Sequence, residues 1–217
     1  VGDVHAHIHH LILQQGLEDT EGFIFATGRD AGIPHNKGTL EAPMRLGESI
    51  IFDIFPQEPR GGYFFDMTRT FCLGYAPDPV MRLYEDVQAC QHAAQQALKV
   101  GVPTGEYQRM MCECFQERGH PTLAEKPDTL EGYMHTLGHG IGLEIHEEPF
   151  FRDTPNNTTL VQAGHVFTIE PGLYYPEQGM GCRLEDVIWI DEDGNVHNLT
   201  NLETTATYVD NLVIPMS

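Results

Sequence analysis

The sequence has little positive charge. Its 217 residues contain 12 lysines and arginines against 32 aspartates and glutamates, so the formal net charge is -20 at pH 7. A field of that sign repels the phosphate backbone of nucleic acids and the anionic surface of membranes. We therefore predict no nucleic-acid partner and no membrane partner, and we expect bound cations to offset part of the acidic charge.

Long apolar runs and paired-cysteine motifs are also absent from the sequence. No apolar run approaches the ~18 residues that a membrane-spanning helix requires. An odd number of cysteines without zinc-ligand spacing is typical of free thiols in a reducing compartment. We therefore predict free thiols and a cytoplasmic protein. The cysteines are Cys72, Cys90, Cys112, Cys114 and Cys182.

The apolar periodicity predicts an α+β fold. Helical spacing predicts one helix that ends at Gly16, a second that begins with Asp78 as its N-cap and ends at Gly101, and a third over 104–119. Short apolar runs separated by turns predict two β-hairpins. Their strands span residues 48–56, 61–71, 164–175 and 181–191. The buried stripe predicted for the second helix consists of Val80, Leu83, Tyr84, Val87, Ala94 and Leu98.

Each predicted hairpin strand carries a carboxylate inside an apolar run. Apolar residues flank these positions on both sides, which indicates buried strands rather than the alternating pattern of a solvated sheet face. A lone buried carboxylate costs several kcal/mol. Four of them in one core oppose folding unless positive charge lies among them. The residues are Asp53, Asp66, Glu170 and Glu185.

Divalent metal ions can supply that positive charge. Only Arg69 and Arg183 lie beside these carboxylates in the sequence, whereas two divalent cations carry about four charges. His139 is the best candidate for an additional ligand, because the glycines on both sides let the backbone approach closely. Taken singly, each carboxylate is also typical of a turn or sheet edge, and His139 of an ordinary loop. Four carboxylates in one context favour a metal site.

Three longer segments carry a joint pattern: FDIFP…YFFDMTRTF, LGHGIGLEIHEEP and FTIEPGLYYPEQGMGCRLEDV. Together they resemble the pita-bread dinuclear metallopeptidases, the family of methionine aminopeptidases, aminopeptidase P and prolidase. The resemblance extends from about Gly28 to about Ile190. It implies a pita-bread fold, in which two pseudo-twofold halves share an antiparallel sheet that helices cover.

The resemblance implies a role for each of the five candidate metal ligands. Asp66 and Glu185 would bridge two metal ions. Asp53 would bind only the second ion, and His139 and Glu170 only the first. The expected ions are divalent Mn, Co, Fe or Zn, because an oxygen-rich site with one imidazole suits each of them.

The resemblance also implies catalytic and substrate-binding residues. Glu170 would move the proton of the attacking water, and His146 would hydrogen-bond the developing tetrahedral centre. His35 matches a catalytic histidine that lines the substrate pocket, and His135 matches a further pocket histidine of the proline-cleaving branch. Arg183 matches a basic residue that supports the bridging glutamate and belongs to the substrate-binding set.

The spacing of the first two carboxylates departs from the family pattern. Asp53 and Asp66 are 13 positions apart (66 − 53), whereas the family usually has a shorter hairpin between these ligands. The additional residues fall in the turn PQEPRGG, so the strand pairing need not change. We expect this turn to reshape the rim of the substrate pocket.

The sequence around the second hairpin resembles the Xaa-Pro branch. Gly–Leu follows the Glu–Pro of Glu170, and Arg–Leu precedes Glu185. We predict a dinuclear exopeptidase that hydrolyses the N-terminal bond of short Xaa-Pro peptides, as aminopeptidase P or prolidase does. The alternatives are a methionine aminopeptidase and a non-catalytic module that binds peptides or proteins.

We predict a single catalytic domain over residues 1–217, excised from the C-terminal part of a longer protein. Proline-cleaving members of the family normally carry an additional N-terminal domain, and this sequence begins with Val1 rather than Met. A homodimer is compatible with the resemblance, because relatives are often dimers.

Overall fold

The computed structural model describes residues 1–200 and residue 202. In this part of the chain the order is one helix, three strands, two helices and five strands. The helices are α1 (Gly2–Gln14), α2 (Asp78–Ala97) and α3 (Thr104–Glu117). The strands are β1 (Phe23–Thr27), β2 (Ser49–Ile54), β3 (Met67–Cys72), β4 (Val166–Ile169), β5 (Gly172–Tyr175), β6 (Met180–Arg183), β7 (Asp186–Ile190) and β8 (Val196–Asn198).

The first sheet contains the first predicted hairpin and one further strand, but the second strand of that hairpin begins at Met67 rather than at residue 61. Its order is β1-β2-β3, and both pairs are antiparallel. Asp53 of β2 lies opposite Ile24 of β1 and Thr68 of β3. Helix α1 covers one face of this sheet, where Ile12 packs with Phe23.

The second predicted hairpin is wrong in one respect, because each of its long strands is broken in the middle. The halves form two sheets, β4-β7-β8 and β5-β6, again with antiparallel pairs. At the breaks, the N–H of Glu170 donates to the carbonyl of Leu137, and the N–H of Glu185 donates to the carbonyl of Thr68. Pro171, which follows Glu170, has no N–H to continue a ladder. Each break therefore falls beside a candidate metal ligand.

The helices occur close to where the periodicity predicts them. Helix α2 ends at Ala97, before the predicted Gly101. It buries five residues of the predicted apolar stripe, and the sixth, Leu98, is buried just after the helix ends. Asp78 is not its N-cap: Pro77 holds that position, and Asp78 is the first helical residue. An aspartate in the first turn still interacts favourably with the helix dipole.

The main core lies between the two long helices and the second group of strands. Helices α2 and α3 pack against each other, and α2 also contacts β4, β5 and β6. Buried side chains in this core include Val87, Met111, Phe167 and Leu184. The arrangement confirms an α+β fold in which helices cover antiparallel sheets. None of the helices in the described part of the chain has the length and apolar character that crossing a membrane requires.

Two cysteines form a disulfide, so the prediction of five free thiols is wrong. Cys90 of α2 and Cys114 of α3 are bonded, with their Cα atoms 6.0 Å apart. The other three, Cys72, Cys112 and Cys182, are free. Spacing along the chain did not reveal the bond, because the partners lie 24 positions apart and meet only through the packing of α2 against α3.

Candidate metal centre

The four carboxylates and the histidine come from five different places in the chain. Asp53 is in β2, and Asp66 lies one residue before β3. Glu170 lies one residue after β4, and Glu185 one residue before β7. His139 comes from a loop before β4. All five side chains are buried, with between 1% and 8% of each residue exposed.

These side chains converge on one cavity of about 240 Å³, which all five of them line. The Nε2 atom of His139 lies 3.4 Å from Oε1 of Glu170 and 3.8 Å from Oδ2 of Asp66. Asp66, His139 and Glu185 each offer a ligand atom within 4.8 Å of the other two. The structure therefore brings together the five residues that the sequence analysis proposed as metal ligands.

The glycines beside His139 have the close contacts that the sequence analysis expected. A Cβ atom at Gly138 would overlap the carbonyl oxygen of Thr168, and one at Gly140 would overlap that of Glu148. The Nδ1 atom of His139 donates to the carbonyl of Gly140 over 3.0 Å. The lone pair is therefore on Nε2, the atom that faces the carboxylates, as in metal-binding histidines.

Burial and mutual repulsion shift the pKa values of these groups strongly. Burial, followed by the charges of Glu185 and Asp53, raises the pKa of Asp66 well above its usual range. Burial and neighbouring carboxylates also raise the pKa of Glu185, and burial raises that of Glu170 to about 8. Burial lowers the pKa of His139 to about 4. Both kinds of shift disfavour charge, so a compensating cation would stabilise the ionised carboxylates.

The residues present fit a pair of divalent cations. Among the described residues, Oδ1 of Asp53 and Oδ1 of Asp66 are buried without any hydrogen-bond partner. Buried polar atoms are rarely left unpaired in proteins, and a bound ion can serve as the partner of such an atom. Four carboxylates and one imidazole suit manganese, cobalt, iron or zinc.

Arg183 lies behind the carboxylates rather than in the cavity. Its Nη2 donates to Oδ2 of Asp53 over 2.5 Å, and its Nε donates to Oγ1 of Thr68 over 3.1 Å. Thr68 in turn donates to Oε2 of Glu185 over 2.7 Å. Because Arg183 is only 1% exposed, the expectation that it contacts substrate is corrected to a supporting position. Because Arg183 occupies Oδ2 of Asp53, Oδ1 is the oxygen of this carboxylate that can bind a metal ion.

His135 uses both ring nitrogens within the protein. Its Nδ1 donates to the carbonyl of Thr136 over 2.8 Å, and its Nε2 accepts from the hydroxyl of Tyr174 over 2.9 Å. That hydroxyl accepts from Nη1 of Arg183. Burial, and then the charge of Arg183, lower the pKa of His135 to about 3, so the ring is neutral. His135 can therefore meet a substrate only through its ring carbons.

A second cavity adjoins the first. It has a volume of about 330 Å³, and its wall includes Phe150, Arg152 and His135. The exposed side chains of His35 and His146 lie in the wall that the two cavities share. The imidazole of His146 is 4.4 Å from that of His139. A substrate across both cavities would pass these two histidines.

The segment between Asp53 and Asp66 reaches the first cavity before the PQEPRGG turn begins. Phe55, the residue before that turn, lines the cavity, whereas none of residues 56–62 does, so the expected effect of the turn on the pocket rim stays a prediction. The N–H of Phe64, two residues after the turn, donates to the carbonyl of Gly142 over 2.9 Å, which ties this segment to the loop that carries His146. The pairing of β2 with β3 is unchanged.

Sequence reasoning missed three polar residues of the site. Thr68 and Tyr174 connect Arg183 to its neighbours, and Arg152 is the cation in the wall of the second cavity. The threonine lies in the DMTRTF segment, but a hydroxyl in a strand carries no distinctive signal. Arg152 follows two phenylalanines, and its guanidinium lies 4.0 Å from the ring centre of Phe150.

The shifted pKa values predict how the metal-free protein responds to pH. A glutamate of the unfolded chain titrates near ~4.3, whereas Glu170 in the folded chain keeps its proton up to about pH 8. The contribution of the Glu170 carboxyl group to the free energy of unfolding therefore decreases as the pH rises toward 8. The lowered pKa of His139 makes stability increase with pH, but only below pH ~6.5, where a histidine of the unfolded chain is protonated. We expect the melting temperature in EDTA to fall between pH 6.5 and 8.

Calorimetric melting curves at several pH values would measure this effect. Addition of Mn²⁺ should reverse the trend, because metal binding favours the deprotonated carboxylates. The Glu170→Gln variant should flatten it, because the amide does not titrate. A melting temperature that rises steadily with pH in EDTA would contradict the prediction.

Comparison with known proteins gives a consistent result. The family model for metallopeptidase family M24 matches residues 2–192. A probable dipeptidase PepE of Mycobacterium bovis is 33% identical over 194 residues, or 89% of this chain and 48% of the relative. An Xaa-Pro dipeptidase of Pyrococcus furiosus is 32% identical over 196 residues, or 88% of this chain and 51% of the relative. The chain thus spans about half the length of the curated relatives it matches.

The likeness extends to three dimensions. The crystal structure of dipeptidase PepE from Mycobacterium ulcerans superposes with a TM-score of 0.82 at 30% identity, covering 95% of this chain and 52% of that chain. This confirms the predicted pita-bread fold. The family match includes every strand and loop that contributes to the carboxylate cluster, so it is not confined to a short motif. The chain belongs to metallopeptidase family M24.

Proposed function

We propose that the chain is the catalytic part of a metal-dependent exopeptidase that hydrolyses the N-terminal bond of Xaa-Pro peptides. The observation that carries this proposal is the convergence of four buried carboxylates and His139 on one cavity. The name of the Pyrococcus furiosus relative, Xaa-Pro dipeptidase, supports the substrate class. Because the chain spans about half of such relatives, the activity of the whole protein is part of the proposal.

Five residues would hold two divalent metal ions in this enzyme. Such ions polarise a substrate carbonyl and lower the pKa of water toward neutrality. Asp66 and Glu185 would be shared between the two ions, and each of the other three would belong to one. The ligands are Asp53, Asp66, His139, Glu170 and Glu185. Manganese, cobalt, iron and zinc all suit this donor set.

Glu170 would carry the proton in the reaction. The proline nitrogen keeps the electrons of the broken C–N bond and leaves as an amine, so it must receive a proton. Glu170 lines both cavities, whereas the other three carboxylates line only the first, so its carboxyl group lies within reach of the leaving nitrogen. Its Oε1 also faces His139 over 3.4 Å. Glu170 would therefore take the proton of the attacking water and pass it to the leaving nitrogen.

His146 and His35 would contact the substrate directly. Both are exposed and lie in the wall that joins the two cavities. From that position His146 would donate a hydrogen bond to the oxygen that becomes negative in the transition state. His35 would orient the peptide from the other part of the same wall.

The second cavity suits a proline residue with a free carboxylate. The ring faces of His135 and Phe150 offer flat surfaces for a proline ring, which has no N–H to be recognised. Among the described residues, Arg152 is the only arginine or lysine in this wall, and its guanidinium can pair with a carboxylate.

We therefore expect Arg152→Gln to lower kcat/KM for an Xaa-Pro dipeptide by about 10-fold or more. Loss of a charge-assisted hydrogen bond of about 1.5–3 kcal/mol has that effect. The same variant should cleave the C-terminally amidated dipeptide as well as the parent does. Arg109→Gln, which changes an exposed arginine of α3, is the matched control. Equal losses on both substrates would contradict the assignment.

Other features of the whole protein stay predictions. These are a further N-terminal domain, a homodimer and a cytoplasmic location. The preference for dipeptides over longer peptides rests on Arg152 and on the names of the relatives.

A substrate screen tests the proposed function. Metal-free protein would be incubated with each of the four metals and with Xaa-Pro dipeptides, longer Xaa-Pro peptides and peptides that begin with Met. We expect hydrolysis of the Xaa-Pro bond with at least one metal and none in EDTA. Cleavage confined to the Met peptides would indicate a methionine aminopeptidase. Peptide binding without any cleavage would indicate a non-catalytic module.

A further inference from the structure

One polar side chain lies inside the apolar face of α2. Gln91 is 0% exposed, as are Val87 and Ala94 on the same face. Its Nε2 donates to the carbonyl of Ile169 over 3.3 Å, and among the described residues its Oε1 has no partner. A buried amide with an unpaired oxygen costs stability, so an apolar side chain of similar size would suit this core better. Packing alone does not explain the glutamine.

A second glutamine makes a similar contact one helical turn later. Gln95 is half-buried, and its Nε2 donates to Oδ2 of Asp186 over 2.8 Å. Residues four apart in a helix lie on the same face. Gln91 and Gln95 therefore face the second group of strands together.

The two residues that these glutamines hold are partners in the sheet. Ile169 at the end of β4 lies opposite Asp186 at the start of β7. Beyond this pair the two strands are no longer hydrogen-bonded to each other. Glu170 follows Ile169, and Glu185 precedes Asp186. One turn of α2 thus holds the last pair of the ladder, whose neighbours are two of the candidate ligands.

Asp186 is also held by Arg69. Nη2 of Arg69 lies 2.7 Å from Oδ1 of Asp186, and Nη1 of Arg69 donates to the carbonyl of Glu185 over 2.7 Å. Both partners of this ion pair are only 4% exposed. The side chain of Asp186 contacts Gln95 of α2, while that of Glu185, the preceding residue, lines the cavity. The contact of Gln95 with Asp186 therefore bears on where Glu185 lies.

We propose that Gln91 and Gln95 are positioning residues, which hold Glu170 and Glu185 in the places that the metal pair requires. This role rests on the proposed function, because it concerns the same metal centre. The glutamines touch neither the cavity nor the five ligand side chains. They act through the backbone of Ile169 and the side chain of Asp186.

Replacement of each glutamine with leucine separates positioning from folding. In Gln91→Leu, the unpaired Oε1 is removed, so the melting temperature of the metal-free protein should stay the same or rise. Its affinity for Mn²⁺, measured by calorimetric titration of the metal-free protein, should fall about 10–100-fold, as is typical for groups that orient metal ligands. In the Mn²⁺-loaded enzyme, kcat should fall while KM changes little. Gln95→Leu should change the affinity in the same direction.

The matched control is Gln96→Leu, which alters an exposed glutamine of the same helix. It should bind Mn²⁺ as the parent does. Parent-like affinity in Gln91→Leu and Gln95→Leu would overturn the proposal. An affinity loss that comes only with a lower metal-free melting temperature would also overturn it. If Gln91→Leu does not fold, Gln95→Leu decides alone, because its side chain is already half in solvent.

The outcome is distinguishable from a failure of the proposed function. A parent protein that binds Mn²⁺ but cleaves no Xaa-Pro peptide would refute the substrate assignment. The titrations of the leucine variants would still show whether the glutamines position the ligands.

Discussion

The Glu170→Gln variant should lose hydrolysis of Xaa-Pro peptides, with kcat lowered by about 10²–10⁴-fold, the usual contribution of a general acid–base group. The amide keeps the shape of the carboxyl group but cannot carry a proton. Among the four candidate ligand carboxylates, only Glu170 lines both cavities, where it can reach the attacking water and the leaving nitrogen. The content of bound Mn²⁺ should also fall, because an amide oxygen is a weaker ligand than a carboxylate.

Steady-state kinetics with an Xaa-Pro dipeptide, together with metal analysis of the purified variant, would measure both effects. Glu144→Gln is the control, because Glu144 is an exposed glutamate of the loop that carries His146. It should keep parent activity. A Glu170→Gln enzyme with kcat within tenfold of the parent would show that another group moves the proton.

The Asp66→Asn variant should change metal binding and metal-free stability in opposite directions. Asp66 is 4% exposed, and the nearby charges of Glu185 and Asp53 oppose its ionisation. The neutral amide removes that repulsion, so the metal-free protein should melt at a higher temperature near pH 8. The same change removes a shared ligand, so affinity for Mn²⁺ should fall by more than the ~10–100-fold typical of outer groups.

Melting curves in EDTA and calorimetric titration with Mn²⁺ would measure the two effects on one preparation. Asp193→Asn, at an exposed aspartate of the turn before β8, should change neither quantity. Parallel losses of metal-free stability and of affinity in Asp66→Asn would indicate an ordinary structural aspartate. That result would contradict the proposed ligand set.

The ligand positions could be selected from the sequence because their burial conflicts with their charge. Asp53 and Glu185 lie in apolar runs that no solvated strand face would contain, and the structure places both in the core. His139 was recognisable from the glycine on each side of it. These glycines are required because the backbone carbonyls of Thr168 and Glu148 approach closely. A carboxylate inside an apolar strand is thus a strong local signal, whereas its partners depend on the fold.

The features that the sequence did not reveal all depend on contacts between distant segments. The strand breaks at Glu170 and Glu185 arise because their N–H groups bond to Leu137 and Thr68. Local sequence propensities do not indicate these hydrogen bonds, because the partners are distant in the sequence. Likewise, the resemblance included Arg183 among the substrate-binding residues. The sequence could not show its ion pair with Asp53, because the two residues are 130 positions apart.

Gln91 is an intermediate case, because its position in the sequence indicates a specific role but not the partner. It falls on the apolar stripe of α2 between Val87 and Ala94, where periodicity alone predicts a hydrophobic residue. A polar side chain at such a position indicates a specific partner. Which partner it has could be read only from the packing of α2 against β4.

X-ray diffraction from crystals grown with Mn²⁺, recorded at the manganese absorption edge, tests the central claim most directly. The claim is that the buried carboxylates and His139 share a pair of ions. The account predicts two anomalous peaks about 3.5–4 Å apart inside the 240 Å³ cavity, with Asp66 and Glu185 contacting both. An empty cavity, or manganese bound only at other sites of the protein, would contradict it.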